Sequence, residues 1–213
     1  MTSFVIGITG ASGVVYGIRL LQILLEQKRE VHLVISEAAR LVINQELSLN
    51  LSSLSNKDLL VQELGIDSKL QDYLHIYSSK DFSAPIASGS YPVQAMAVIP
   101  CSMGSLGAIS SGVNLNLIHR AADCMLKEKR PLILVPRETP LNAIHLENML
   151  KLSKAGATIL PAMPGFYSGC ESVEAMVDFL VGKVLDQLGV KHFLYPRWTG
   201  LTKKQKLSKE PQC

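Results

Sequence analysis

Two small-residue turns and a scattered set of cations and carboxylates are the parts of this 213-residue chain that could do chemistry. The first turn belongs to Phe4-Val5-Ile6-Gly7-Ile8-Thr9-Gly10-Ala11-Ser12-Gly13. Its apolar half is mostly β-branched and reads as a short buried strand, after which Val14, Ile18, Leu21, Leu24 and Leu25 recur at helical spacing. A glycine turn between a strand and a helix suits an anion. Free backbone N–H groups and the positive end of the helix dipole point at the turn, and glycine lets a phosphate come close. Gly10, Ala11 and Ser12 would line it, with the Ser12 hydroxyl at or beside the N-cap, able to bond the helix or a ligand. The glycines fall at Gly7, Gly10, Gly13 and Gly17, which is not the G-x-G-x-x-G spacing of a dinucleotide site. The next strand, 31–35, ends in Ser36 where such a site wants an acid for the ribose. Serine suits a mononucleotide better, which argues against a dehydrogenase.

The second turn, Cys101-Ser102-Met103-Gly104-Ser105-Leu106-Gly107, follows the strand 95–99 and its closing Pro100. In a parallel sheet both turns fall on one rim, where such folds bind ligands. Arg120 and Lys127 lie seven apart on a helix over 116–127 and share a face. Two cations on one face usually mean a solvated surface, but beside a phosphate-binding rim they could hold an anionic leaving group. Arg137 and Glu138 follow the strand 131–135 and are pinned between Pro136 and Pro140, a placement hard to dismiss as surface decoration. Glu46, by contrast, reads from its neighbours alone as a solvated helix-end carboxylate. Residues 83–90 read as a flexible small-residue connection. Tyr167 closes a stiff loop, 161–167, with packing as its plainer role and the same rim as its expected place. There is no metal-ligand spacing, no catalytic Ser-His-Asp signature and no internal repeat.

These residues need a frame that sets them on one edge. At least five strands alternate with helices, which predicts an α/β fold: a doubly wound, Rossmann-like parallel sheet with helices on both faces. Residues 1–198 form a single domain in this reading and 199–213 a flexible basic tail. Residues 48–80 read as an excursion at the sheet edge, with a short helix through Leu59, Leu60 and Leu64. The net charge is +3, and Lys203, Lys204, Lys206 and Lys209 set against Glu210 already supply it. The remainder is close to neutral, which disfavours a nucleic-acid surface. No apolar run reaches membrane-spanning length, and a core strand at the amino terminus leaves no room for a signal peptide. Cys101, Cys124, Cys170 and Cys213 are widely spaced and read as reduced thiols. A soluble cytoplasmic protein is expected. The apolar, aromatic segment 192–198 would be a sticky patch if exposed, so it is expected to dock on a neighbouring subunit of a homo-oligomer.

With these segments in view, the chain resembles the flavin prenyltransferases of the UbiX type, formerly described as aromatic-acid decarboxylases, over roughly residues 3–198. The likeness rests on Thr9–Gly13, Glu46, Ala87–Ser90, Cys101–Ser105, Asn116–Asp123, Leu134–Leu141, His145–Met149, Pro161–Tyr167 and Pro196–Trp198, in that order. It implies that reduced FMN is bound as a substrate and alkylated by dimethylallyl phosphate, first at flavin N5 and then, by ring closure, at C6. The product would serve a UbiD-type decarboxylase. By the same resemblance Gly10, Ala11, Ser12, Ser36, Ser102, Met103, Gly104, Ser105 and Arg137 contact FMN. Ser88, Arg120, Lys127, Glu138, Tyr167 and Lys183 surround the prenyl phosphate, and Trp198 lies near a site built where subunits of a dodecamer meet. Glu46, Glu138 and Ser12 are the catalytic candidates. Glu46 would help the ring-closing step, against its plainer reading.

That chemistry suits the residues. Ionising an allylic C–O bond puts growing negative charge on the departing phosphate, which fixed cations and hydroxyls stabilise without a metal. An aromatic face can stabilise the allylic cation, and closure needs a base for the C6 proton, either Glu46 or the released phosphate. Lys183 stands where some relatives carry Arg, keeping the charge and losing the fork. Two competing readings are an FMN-dependent oxidative decarboxylase of a peptidyl cysteine and a non-catalytic flavin carrier. The former wants a His base at the end of the first helices, which is not found. The latter has no use for a second cluster of cations.

Overall fold

The computed structural model describes residues 3–49, 57–165, 172–198 and 200. Its sheet is built from β1 (Ser3–Ile8), β2 (Glu30–Ile35), β3 (Leu74–Ser78), β4 (Ala95–Cys101), β5 (Leu132–Pro136) and β6 (Thr158–Ile159). The order is β3-β2-β1-β4-β5-β6, and every neighbouring pair is parallel. The chain winds outward from β1 to β3, returns to the middle, and winds outward again from β4. The reversal leaves a crevice between the carboxyl ends of β1 and β4, where open α/β sheets take their ligands.

Period-two alternation divides β1 between two cores. Phe4, Ile6 and Ile8 pack with Leu20, Leu21, Leu24 and Leu25 of α1 (Val14–Glu26) and with Val181, Val184 and Leu185 of α7 (Val173–Gln187). Val5 faces the other way, toward Met96, Val98, Leu132 and Leu134 and toward α4 (Met103–Ser110) and α5 (Leu117–Lys127). A strand buried on both faces is apolar throughout, which is why β1 reads as an unbroken run. α6 (Ala143–Lys154) adds Leu152 to the second core, and α2 (Glu37–Leu47) adds Ala39 and Ile43 to the first. Leu20, Leu21, Leu24 and Leu25 are fully buried, so truncating one to alanine should cost about 2–5 kcal/mol.

The doubly wound parallel sheet is as the alternation predicts, and the short helix expected near Leu59 is α3 (Lys57–Glu63). The excursion over 48–80 needs correction. Its last residues are β3, the edge strand paired to β2 with His32 opposite His75 and Val34 opposite Tyr77. Only Leu74 of β3 is buried, so the strand lacks the apolar signature of its neighbours. Residues 83–90 are also more fixed than their composition suggests. Pro85–Ala87 form a 3-10 turn packed on α5, and Gly89 is buried. Cys101 and Cys124 are buried free thiols, and burial pushes the Cys101 thiol up to about 12. Cys170 and Cys213 lie outside the described residues, as does the tail apart from Gly200. Among the described residues no helix is long and apolar enough to cross a membrane.

Candidate functional site

Three helix amino termini meet on the carboxyl rim of the sheet: α1 after β1, α2 after β2 and α4 after β4. Thr9 joins two of them. Its buried hydroxyl donates to the Pro100 carbonyl at 2.8 Å and accepts the Ser102 N–H at 2.7 Å, and its own N–H donates to the Pro100 carbonyl at 3.2 Å. The first turn and the second are thereby one piece of structure. Arg137 extends it, its N–H donating to the Cys101 carbonyl at 3.4 Å.

Each terminus is finished differently. Ser102 caps α4, accepting the Ser105 N–H at 3.3 Å, and its hydroxyl donates to the Ser105 hydroxyl at 3.2 Å. The first amides of a helix have no intrahelical partner, and here Met103 and Gly104 hold that position. A Cβ built on Gly104 would meet nothing within 4 Å, so the backbone there faces open space. Ser36 caps α2, accepting the Ala39 N–H at 3.1 Å, while its own N–H donates to the Ile8 carbonyl at 3.0 Å. α1 has no side-chain cap. Its N-cap is Gly13, in the left-handed region at φ 95°, so Ser12 stands beside the cap without serving as one.

The α1 amides are not left open either. The Gly13 N–H donates to Glu46 Oε1 at 3.2 Å and to Oε2 at 3.0 Å, and the Val14 N–H donates to Oε2 at 3.2 Å. Glu46, the second-last residue of α2, therefore supplies the anion that the first turn was expected to take from a ligand. Glu46 is exposed at a helix end, as its neighbours suggest, and the structure adds its fixed partners, the α1 amides. Tyr16 lies between the charges of this corner: burial raises its pKa, Arg137 opposes that and Glu46 adds to it. Neither Thr9 nor Tyr16 was singled out from sequence. A threonine directly after a core strand was the available signal for the first, and spacing alone offered none for the second.

Glu138 is exposed at the end of β5, its carboxylate accepting the Thr139 N–H at 3.0 Å. The rim of one chain thus gathers Gly10, Ala11, Ser12, Ser36, Glu46, Ser102, Met103, Gly104, Ser105, Arg137 and Glu138. The other candidates stand on α5, on the segment before β4, on α7 and on the segment after α7. Arg120 is on the first turn of α5, with Nε donating to the Ala87 carbonyl at 2.9 Å and Nη1 to Asp123 Oδ2 at 2.8 Å. Lys127 is seven residues further, ~10 Å down the helix away from the rim, paired with Glu128 at 3.0 Å. The exposed Ser88 lies on the segment between them.

Lys183 sits on α7, half-buried, five residues beyond Asp178, whose carboxylate takes Arg19 Nε at 2.7 Å. Trp198, 65 % exposed, follows a segment anchored to the far end of α7. There Asp186 accepts Arg197 Nη1 and Nη2 at 2.6 Å each, the Tyr195 hydroxyl at 2.7 Å and His192 Nε2 at 3.1 Å. Residues 192–197 are therefore held largely by their own chain, while Phe193 is left 88 % exposed. Tyr167 lies outside the described residues.

Small residues, open α4 amides and a guanidinium on one rim suit a planar ring with a phosphate tail.

The family model described as Flavoprotein matches residues 2–185. The flavin prenyltransferase UbiX of Alkalihalophilus pseudofirmus is 54 % identical over 193 residues, covering 91 % of this chain and 94 % of that protein. The protein of the same description from Pseudomonas aeruginosa is 48 % identical over 195 residues, with 91 % and 92 % covered. Among solved structures, AnUbiX (PadA1) in complex with FMN and dimethylallyl pyrophosphate superposes with TM-score 0.81 at 38 % identity, covering 94 % of this chain and 99 % of that one. A dodecameric FMN-dependent UbiX-like decarboxylase from Escherichia coli O157:H7 gives TM-score 0.82 at 41 % identity, covering 93 % and 100 %. The cysteine decarboxylase TvaF, at 12 % identity and TM-score 0.57, shares the fold alone. The chain belongs to the Flavoprotein family and, within it, to the UbiX flavin prenyltransferases.

Proposed function

We propose that this protein transfers a dimethylallyl group from dimethylallyl phosphate to reduced FMN, bonding N5 and then C6, and that the prenylated FMN serves a UbiD-type decarboxylase. The observation that carries this reading is that cations stand outside the rim, on α5 and on α7. A flavin carrier needs only the rim, whereas this chain also presents Arg120, Lys127 and Lys183. The relative solved with both FMN and a prenyl diphosphate supports the pairing of the two ligands.

In this reading Gly10, Ala11, Ser12, Ser36, Ser102 to Ser105 and Arg137 hold FMN, whose reduced ring supplies the nucleophilic nitrogen. Ser88, Arg120, Lys127, Glu138, Tyr167 and Lys183 hold the prenyl phosphate, with Trp198 against the allylic group. The cations draw off the charge that grows on the leaving phosphate. Glu138 and Ser12 move or hold protons beside it, and Glu46, held on the α1 amides, serves as a base for ring closure. A homo-oligomer, a dodecamer as in the Escherichia coli relative, would bring one chain's flank to another's rim. The protein is assigned to the cytoplasm and residues 1–198 to one flavin-binding unit.

The test is anaerobic incubation with reduced FMN and dimethylallyl phosphate, followed by mass spectrometry of the extracted flavin. Gain of one five-carbon unit is expected. Unmodified flavin from a protein shown to bind FMN would reject the reaction and favour an oxidative decarboxylase or a carrier.

A further inference from the structure

The segment 87–91 turns alternate carbonyls toward α5, and two arginines hold them. Besides the bond from Arg120 to Ala87, Arg130 donates from Nη2 to the Gly89 carbonyl at 3.0 Å and from Nη1 to the Tyr91 carbonyl at 2.7 Å. A planar guanidinium that bridges two carbonyls fixes their relative orientation, which a single ammonium cannot do. The side chains between those carbonyls, Ser88 and Ser90, are exposed, and their hydroxyls are bonded to each other at 2.8 Å.

Gly89 lies directly beneath Lys127. A Cβ built there would collide with Glu128 Oε1 and stand 2.9 Å from Lys127 Nζ. Its φ is outside the left-handed region, so the requirement for glycine is one of space: the Lys127 ammonium lies where a methyl group would be.

We infer that Arg130 is a positioning residue for the prenyl phosphate: its clasp on Gly89 and Tyr91, with the bare backbone of Gly89, sets the Ser88 hydroxyl and the Lys127 ammonium as one phosphate-receiving surface. The inference deepens the reading above and rests on it for the identity of the phosphate. Arg130 itself touches no substrate; it acts through the segment it holds.

Two variants test it on the full-length, FMN-loaded protein. Gly89→Ala keeps an allowed backbone and displaces only the mobile ends of Lys127 and Glu128, so it folds. Arg130→Gln removes the clasp. Each is expected to weaken dimethylallyl phosphate binding by calorimetry, and to raise its KM, roughly tenfold, equivalent to about 1.4 kcal/mol. kcat should stay within about twofold and the FMN Kd should be unchanged. Arg130→Lys, which can reach one carbonyl only, should recover part of the loss.

Unchanged dimethylallyl phosphate affinity in both variants overturns the inference. So does a parallel loss of FMN affinity, which marks a merely structural role, and so does a wild type that does not bind dimethylallyl phosphate. A wild type that binds dimethylallyl phosphate without prenylating FMN, with both variants weakened, rejects the reaction while upholding the clasp.

Discussion

The Glu46 carboxylate sits on the amino terminus of α1, accepting the Gly13 N–H at 3.0 Å and the Val14 N–H at 3.2 Å across thirty-three residues of sequence. A helix amino terminus attracts an anion through its unpartnered amides and dipole, and here the chain supplies that anion itself. A phosphate arriving at the rim meets a carboxylate at α1 and open amides at α4. The geometry therefore favours the Met103 and Gly104 end for a phosphate.

Glu46→Ala should uncover those amides. Loss of a cap at an exposed helix end costs about 1 kcal/mol, a fall in Tm of roughly 2–4 °C for a chain of this size. The variant should also gain more Tm than the wild type on adding inorganic phosphate. Glu46→Gln keeps an acceptor for the amides and should hold the wild-type Tm, while slowing ring closure so that singly bonded flavin accumulates. Identical phosphate dependence in wild type and Glu46→Ala would show that the carboxylate does not occupy an anion site.

Thr9 makes the rim one unit, so Thr9→Val should loosen it. The substitution preserves shape but leaves the Ser102 N–H without the hydroxyl it meets at 2.7 Å, while the Pro100 carbonyl keeps the backbone N–H of this position at 3.2 Å. Buried groups left unsatisfied cost about 1–3 kcal/mol each. Urea unfolding should show a lower midpoint at unchanged slope, and FMN affinity should fall because Ser102 caps α4 from this junction. Wild-type stability in Thr9→Val would mean that the hydroxyl is dispensable.

Glu138 has the opposite profile, exposed and, among the described residues, tied to Thr139 alone. Glu138→Gln is expected to keep stability and FMN affinity while lowering prenyl transfer by about 10²-fold, the scale of a lost proton-transfer group. Equal turnover in variant and wild type, measured by flavin mass, would take Glu138 out of the mechanism.

His32 gives the fold a pH dependence. Its ring is buried between His75, stacked at 4.9 Å, and Tyr77, whose hydroxyl lies 3.0 Å from Nδ1. Its pKa is lowered to about 4, by burial first and by the charge of His75 next, with Glu30 opposing both. The folded state thus keeps this imidazole neutral between pH 6.5 and about 4, while the unfolded chain takes up a proton. Stability is fully present above 6.5 and falls as pH drops through that window. His32→Gln should flatten the urea midpoint against pH over this range by close to one proton. An unchanged slope would assign the pH dependence to other groups.

How much of this was legible in advance depended on periodicity. β1, its turn and α1 announced themselves because a strand buried on both faces and an amphipathic helix leave regular apolar spacing. β3 did not, because an edge strand with one buried residue has no such spacing. The rim set from Gly10 to Glu138 was legible as small residues and charges at strand ends, since a parallel sheet brings all those ends to one side. The partnership of Glu46 with Gly13 was not, because a contact between an α2 carboxylate and the α1 amides leaves no trace in local pattern. The docking of 192–198 was half legible. Its aromatic content implied burial, but Asp186, the residue that holds it, looks in sequence like any polar position on α7.

That Asp186 anchor yields the last prediction, with the chain's single tryptophan as reporter. Partial burial works to raise the pKa of Asp186, and the hydrogen bonds from Arg197, Tyr195 and His192 outweigh it, holding the carboxyl well below the usual carboxylate range. A depressed folded pKa means that the anchoring is complete above the unfolded value near 3.9 and is lost only as pH falls below it. Trp198 follows Arg197 directly, so its mobility follows the anchor. Its fluorescence anisotropy should stay flat from pH 8 to 5 and drop in acid. Asp186→Asn, which cannot accept both arms of Arg197 as an anion, should show the lower anisotropy already at pH 7. If Trp198 takes its position from this anchor, Asp186→Asn should also lower prenyl transfer more than FMN affinity. Wild-type anisotropy in Asp186→Asn would show that the aromatic segment is held by something other than α7.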